Sequence, residues 1–199
     1  MRKPVAASDK LLVARRNGWY LLCHPAFRGP LLNLGQEVAR LRQEIGAGWE
    51  DAPKAKLLRR VLDIILVEVP ANPASPGYEQ GNTLGADARG WRRVKFLGRL
   101  RLFFRFDTAS RIIVYAWLND ENTLRKAGAS TDPYTVFRGM LVNGNPPHDW
   151  NKLLDSCRVA RGSEGTEALD GLLGGLEALP EPGSAAGVSP TKERSRRKR

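Results

Sequence analysis

Residues 90–125 read GWRRVKFLGRLRLFFRFDTASRIIVYAWLNDENTLR, and the order of apolar and charged residues here decides the fold. Three β-strands are predicted, at 91–96, 99–106 and 111–118, with turns at Gly98 and at Asp107-Thr108-Ala109-Ser110. Together they make an antiparallel meander. Successive side chains on a strand point to opposite faces, so Val94 and Phe96 face one way and Arg93 and Lys95 the other. On the second strand Leu100, Leu102, Phe104 and Phe106 form the apolar row, opposite Arg99, Arg101, Phe103 and Arg105. Pairing sets the cations of neighbouring strands side by side. Five cations and no carboxylate share that face within the two strands. Like charges in such an arrangement destabilise a sheet, which points to an anionic partner, a phosphate backbone above all. A basic strand is also an ordinary solvated surface. Strict alternation, recurrence on adjacent strands, absence of acids and the excess of Arg over Lys favour anion binding.

Two amphipathic helices are expected upstream. Asn17 to Cys23 reads as a strand entered through a turn and ended by His24-Pro25. Pro30 then suits a first helical turn, and Leu31, Leu34, Val38, Leu41 and Ile45 make one apolar stripe before Gly46 and Gly48. A second helix runs from Pro53 with Leu57, Leu58, Val61, Leu62, Ile65 and Val69 buried, and stops at Pro70. The pair forms a hairpin that covers the apolar sheet face. Residues 71–89 read as a connecting loop. Downstream, Thr131-Asp132-Pro133 caps a helix carrying Tyr134, Val136, Phe137, Met140 and Leu141, and a last helix is expected from Pro147 to about Ala160. The fold class is therefore α+β. The expected domain spans 16–160, after a flexible leader at 1–15 and before a mostly disordered tail at 161–199.

The chain has 199 residues and a formal net charge of +11. The final eight residues carry +5 and residues 160–191 carry −4, which leaves +10 on residues 1–159. The basic character thus belongs to the folded body. Cys23 and Cys157 do not make a disulfide framework, no signal-peptide pattern opens the chain, and no apolar run reaches membrane-span length. A cytoplasmic protein with reduced thiols and no membrane partner is expected.

Other chemistry is sparse. Asp120-Glu121, between Asn119 and Asn122, reads as an oxygen-ligand metal site or as a turn cap after the third strand, and without a convergent third carboxylate the cap is favoured. No metal or cofactor is expected. His24 and His148 are the only histidines; His24, at a strand end, is the better candidate for contact with a ligand. Both cysteines read as small buried hydrophobes. Trp19, Trp91, Trp117 and Trp150 either stack on bases or pack in the core, and packing is the commoner fate. P-loop, zinc, GxSxG and dinucleotide signatures are absent.

One resemblance runs through these features. The motifs are Asn17-Gly18-Trp19 with His24-Pro25, Asn72-Pro73 with Ser75-Pro76, Arg93-Val94-Lys95-Phe96, and the run from Arg99 to Arg105. They continue through the run from Trp117 to Arg125, Asp132-Pro133-Tyr134-Thr135-Val136-Phe137, and Pro146-Pro147-His148-Asp149-Trp150. In unbroken order over about residues 16–155, the chain resembles the YhaV family of type II toxin–antitoxin toxins, a branch of the RelE-like ribonucleases. The resemblance implies a helical pair on a twisted, mainly antiparallel sheet. It also implies endoribonuclease activity on mRNA, on or off the ribosome, and a PrlF-type antitoxin partner, with DNA contact through the complex. It implies catalytic roles for Lys95, Arg101, Arg125 and Tyr134, and Arg93 joins them from the same strand face. Arg93 and Arg101 are expected to clamp phosphate. Lys95 is a general base or electrostatic stabiliser, Arg125 faces the leaving group, and Tyr134 stacks on a base or shares proton transfer. Arg99, Arg105 and His24 are the expected RNA contacts. A nucleic-acid or ribosome-binding module without catalysis is the alternative.

Overall fold

The structure, a computed structural model, describes residues 12–158. The expected tail from 161 onward lies outside the described residues. The meander forms as read: β3 (Arg92–Phe96), β4 (Leu100–Asp107) and β5 (Ile112–Leu118) pair antiparallel, with Lys95 opposite Arg101 and Arg93 opposite Phe103. Ala116 is an extra residue on β5 where Phe103 pairs with Trp117 and Phe104 with Tyr115. This bulge turns Ala116 and Trp117 to the same face.

The sheet is larger than the meander. Leu12–Arg16, read above as the end of a leader, is strand β1, and it pairs antiparallel with β2 (Trp19–Cys23). Asn17 and Gly18 both have positive φ, 48° and 78°, the backbone of a two-residue hairpin whose twist matches its strands. The Asn-Gly pair carried this signal, but Leu12–Arg16 lacks the alternation that would have marked a strand. β2 then pairs in parallel with β5, giving the order β1-β2-β5-β4-β3. The result is a mixed α+β fold with an open, mainly antiparallel sheet.

Helix α1 spans Pro25–Ile45, more than a turn longer than the stripe suggested. His24 is its N-cap: the Nδ1 atom accepts from the Ala26 N–H at 3.2 Å, and Pro25 occupies the first turn, where its missing N–H costs nothing. Pro30 sits inside the helix instead of opening it. Phe27, Leu31, Gly35 and Val38 face inward, whereas Ile45, expected on the stripe, is 55% exposed. The second helix ends at Ala71, one residue past its expected stop. α2 (Pro53–Asp63) passes through a π turn, Ile64–Glu68, into α3 (Val69–Ala71). In the π register the Val69 N–H bonds to the Ile64 carbonyl, so Pro70 is the residue that fails to serve the Ile65 carbonyl. The buried Tyr115 hydroxyl donates to that carbonyl at 2.6 Å. A wider turn and one tyrosine therefore carry the helix past its proline.

These helices cover one sheet face, where Phe27, Leu31, Val61 and Ile65 pack with Leu102, Phe104, Ile113 and Tyr115. The other face is not open, as the cationic row had implied. α4 (Pro133–Val142), α5 (Trp150–Ser156) and Leu84 and Ala88 of the preceding loop close over Phe103, Val114 and Ala116. Gln80 staples that loop by donating to the Ala88 carbonyl at 3.0 Å and accepting from the Leu84 N–H at 2.9 Å. Cys23 and Cys157 are both buried, and burial pushes the Cys23 thiol up.

Burial, with help from Arg28, lowers the His24 pKa to about 4, and protonation would remove the Nδ1 lone pair that caps α1. The unfolded chain therefore binds the extra proton first, and stability falls as pH drops from about 6.5 towards 4. With screening, the loss is on the order of 2 kcal/mol. Urea denaturation of the wild type and His24→Asn at pH 7 and pH 4.5 checks this, because Asn caps without titrating. Equal pH sensitivity in both proteins would contradict it.

Candidate active site

The cations of the meander end in two different environments. At the covered end of the face, Arg105 is half-buried between Trp91 and Trp150, 5.5 Å from each ring centroid, and its Nη1 donates to the His148 carbonyl. Burial lowers its pKa. Trp91 in turn donates from Nε1 to His148 Nδ1 at 3.3 Å. Arg105, expected to contact RNA, instead fastens the loop before α5 to the sheet. Its place opposite Trp91 in the alternation could not show that Trp150 would close over it. His24, the other such expectation, is 2% exposed and spent as a helix cap, so it offers almost no surface to RNA.

Arg93 and, from the segment after β5, Arg125 meet at Tyr134. α4 is pinned to the sheet by Phe137, which stacks on Phe103 with ring centroids 4.2 Å apart, and Trp117 stacks against Phe137 at 5.8 Å. One helical turn earlier, Tyr134 meets Phe103 edge-on and receives a 2.7 Å hydrogen bond from Arg93 Nε on its hydroxyl oxygen. Arg93 Nη1 also donates to the Gly77 carbonyl at 3.2 Å, which fixes the guanidinium at both ends. Because Tyr134 accepts from Arg93, its own hydrogen is left to donate. Arg125 lies 5.2 Å from the centroid of the same ring. The structure thus joins Arg93, Arg125 and Tyr134 directly.

The segment after β5 brings Arg125 there. Asn119 is buried and clamps three backbone groups: Oδ1 accepts from the Arg101 N–H, while Nδ2 donates to the carbonyls of Arg99 and Thr123. Asp120 caps the following turn, accepting from the N–H groups of Asn122 and Thr123 in a reciprocal capping box with Thr123. This is the cap reading of Asp120. The folded-back segment ends in an exchange between Arg99 and Arg125: the Arg125 N–H donates to the Arg99 carbonyl and Arg99 Nε to the Arg125 carbonyl, each at 3.1 Å. Lys95 is exposed across the strand pair from Arg101. Arg101 is largely buried, its Nη1 held by the carbonyls of Gly98 and Leu100 and its Nε without a hydrogen-bond partner among the described residues. No carboxylate pairs with Arg93, Lys95, Arg99 or Arg101 among the described residues. An anion would find these charges uncompensated.

Asp132 is the residue that sequence reading used only as a cap. It is 3% exposed, and its carboxylate ties the cluster together: Oδ2 accepts from Arg125 Nη1 and the Lys126 N–H, Oδ1 from the Tyr134 N–H. One buried carboxylate therefore sets the positions of both Arg125 and Tyr134. A lone acid seven residues after a motif arginine carries no periodic signal, so only the fold reveals the pair. Asp132→Ala removes the cap and leaves Arg125 without its counter-charge, for an expected loss of about 2–4 kcal/mol. Asp132→Asn keeps the cap and should lose less. Chemical denaturation of the two variants measures the difference; equal losses would deny the cap its share.

The profile of a family described as a toxin with endonuclease activity, of a toxin–antitoxin system, matches residues 21–158. The "Ribonuclease toxin YhaV" of Escherichia coli K12 and the "Toxin YhaV" of Escherichia coli O6:H1 are each 43% identical to the chain over 141 residues, covering 70% of it and 92% of the relative. No solved structure matches. The matched span begins in β2 and ends just past α5, so it takes in the strands, helices and clamp that assemble the cationic cluster. The chain belongs to the YhaV family, and it is a toxin with endonuclease activity whose counterpart is an antitoxin.

Proposed function

We propose that the protein is a metal-independent endoribonuclease that cleaves mRNA at the Arg93–Tyr134–Arg125 cluster and so stops translation. The observation that carries this reading is the Arg93 to Tyr134 hydrogen bond, with Arg125 over the same ring and no carboxylate paired with Arg93 among the described residues. RNA supplies its own nucleophile. The 2′-hydroxyl attacks the adjacent phosphorus, negative charge builds on a pentacoordinate phosphate, and the 5′-oxygen leaves, giving a 2′,3′-cyclic phosphate. Fixed guanidinium groups stabilise that charge without reorganising, and Arg93 and Arg125 are held by partners on each side. The Tyr134 hydroxyl, accepting from Arg93, donates its hydrogen to the departing 5′-oxygen. Lys95 is the exposed side chain that takes up the 2′-hydroxyl proton and, once protonated, holds the non-bridging oxygens. Arg99 draws in the flanking phosphates, and Arg101 adds charge from beside the β3–β4 turn.

The fold in this reading is RelE-like, with the toxin domain at 16–160 preceded by β1. The antitoxin is of the PrlF type and lays an acidic or amphipathic segment over the cationic face, with DNA contacted through the complex. The protein acts in the cytoplasm on mRNA, free or on ribosomes. Among the described residues no helix is long and apolar enough to cross a membrane.

Purified protein incubated with single-stranded RNA and with ribosome-bound mRNA, with and without EDTA, tests the reading. EDTA-resistant cuts ending in cyclic phosphate are expected. Tyr134→Phe, which keeps the ring packing, should slow them about 10²-fold or more, and Arg93→Ala by about 10²–10³-fold, with thermal melts confirming both folds. Full activity in both variants would remove the cluster from the chemistry. Bound but uncut RNA would favour a binding module.

A further inference from the structure

The end of the sheet opposite Lys95 and Arg125 carries a second group of cations. β2 and β5 run parallel, so the starts of both strands lie together there, with Tyr20 beside Ile112. The seven residues of β5, at about 3.3 Å each, put roughly 20 Å between this end and the segment that bears Arg125. Arg15 and Arg16 reach it on β1, opposite Tyr20 and Trp19, and Arg111 reaches it in the turn before β5. The three stand far apart in sequence, and only the parallel pairing unites them. All are exposed, and none has an ion pair among the described residues.

Two of these cations are held in place without losing charge or donors. The guanidinium carbon of Arg15 lies 5.2 Å from the Tyr20 ring centroid, and that of Arg111 lies 5.2 Å from the Trp19 ring. Trp19 is fixed edge-on to Phe106, and the Tyr20 N–H donates to the Arg111 carbonyl at 2.7 Å. Arg111 keeps its place at φ 54°, a left-handed backbone that disfavours arginine. An aromatic ring orients a guanidinium yet takes none of its N–H groups. Neither Arg15 nor Arg111 spends a side-chain hydrogen bond on any described residue, whereas Arg16 donates to the Arg15 carbonyl at 3.1 Å. Asp107, in register with Ile112, turns its carboxylate onto the N–H and hydroxyl of Ser110.

Oriented guanidinium forks with open donors suit phosphate, whose oxygens accept two N–H bonds at once. Trp19 and Tyr20 point to opposite faces of β2, so a strand that crosses the end of the sheet meets Arg111 and Arg15 in turn. We propose that Arg15 and Arg111, with Arg16 adding charge, form a second phosphate-binding site that anchors the RNA strand away from the cut. Its ligand is the single-strand backbone, and no base is read. At one phosphate per about 3.4 Å of stacked strand, about six nucleotides bridge the distance to the cluster. A long RNA therefore engages both sites, and the anchor raises the local concentration of the strand at the cluster. The inference takes the identity of the strand from the ribonuclease reading, but the anchoring itself needs no cleavage.

The test separates the two. Single-stranded RNA of about 20 nucleotides, 2′-O-methylated so that it cannot be cut, is titrated by fluorescence anisotropy over a range of salt concentrations. The variant combines Arg15→Thr, which suits a strand, with Arg111→Asn, which tolerates the left-handed turn. It should bind about fivefold or more weakly, with the slope of log affinity against log salt shallower by about 1.4, the value for two phosphates on a single strand. Arg40→Ser with Arg42→Ser removes the same charge from α1, beside Glu37 and Glu44, and should change the slope by less than half as much. With all-ribose RNA, the first variant should raise KM several-fold more for the long strand than for one of about five nucleotides. Thermal melts confirm the folds. An unchanged slope, an equal loss in the α1 control, or equal effects on long and short RNA each overturn the inference. Loss of duplex DNA binding with RNA binding intact assigns the patch to DNA and overturns it as well. RNA binding that depends on Arg15 and Arg111, in a wild type that cuts nothing, would instead keep the anchor and defeat the ribonuclease reading.

Discussion

The stack of Phe137 on Phe103 is the contact from which the rest of the site follows. Phe103 interrupts a row that is otherwise cationic, and its ring docks the helix together with Trp91 and Trp117. Docking α4 on it brings Tyr134 onto Arg93 one turn away, and the α4 cap brings Asp132 under Arg125. Burial of two aromatic rings contributes a few kcal/mol in a geometry that tolerates little sliding. That rigidity passes to hydrogen bonds which, in water, would hold nothing in place. Packing therefore supplies the order, and charge supplies the chemistry.

Several cations so close together oppose folding, and the structure answers with carbonyl oxygens more than with acids. Gly77 accepts from Arg93, Gly98 and Leu100 from Arg101, the Arg125 carbonyl from Arg99, and His148 from Arg105. A carbonyl orients a guanidinium without cancelling its charge. Among the cations of this cluster only Arg125 has a buried carboxylate partner within the described residues, and that acid also orders Tyr134. The face is thus organised while staying strongly positive, which is what a polyanion needs to find.

The meander, the helix pair and the cap at Asp132 were legible because each rests on local chemistry: alternation, a 3.6-residue stripe, an Asp-Pro start. The cationic row was read correctly as a row, yet not as a surface. Whether Arg105 meets RNA or a tryptophan depends on Trp150, and nothing local connects the two residues. The π turn before Pro70 was hidden for a similar reason, since the tyrosine that serves the freed Ile65 carbonyl lies in β5. His24 read as a ligand contact because it ends a strand, and Pro25 was read only as that strand's stop, whereas together they open α1. Among the proposed catalytic residues, Arg93, Arg125 and Tyr134 meet in space, while Lys95 and Arg101 share a register pair.

The topology also bears on how the chain is made. β2 lies between β1 and β5, so Tyr20 finds its partner only when Ile112 has been synthesised. Until then the N-terminal helices have no sheet to cover, and such long-range pairing forms slowly. Even a finished sheet lacks Tyr134 and Asp132, which follow it in the chain. A polypeptide still emerging from the ribosome therefore carries the cations without the group that orders them. The order of synthesis itself delays the assembled cluster until the last helices have docked.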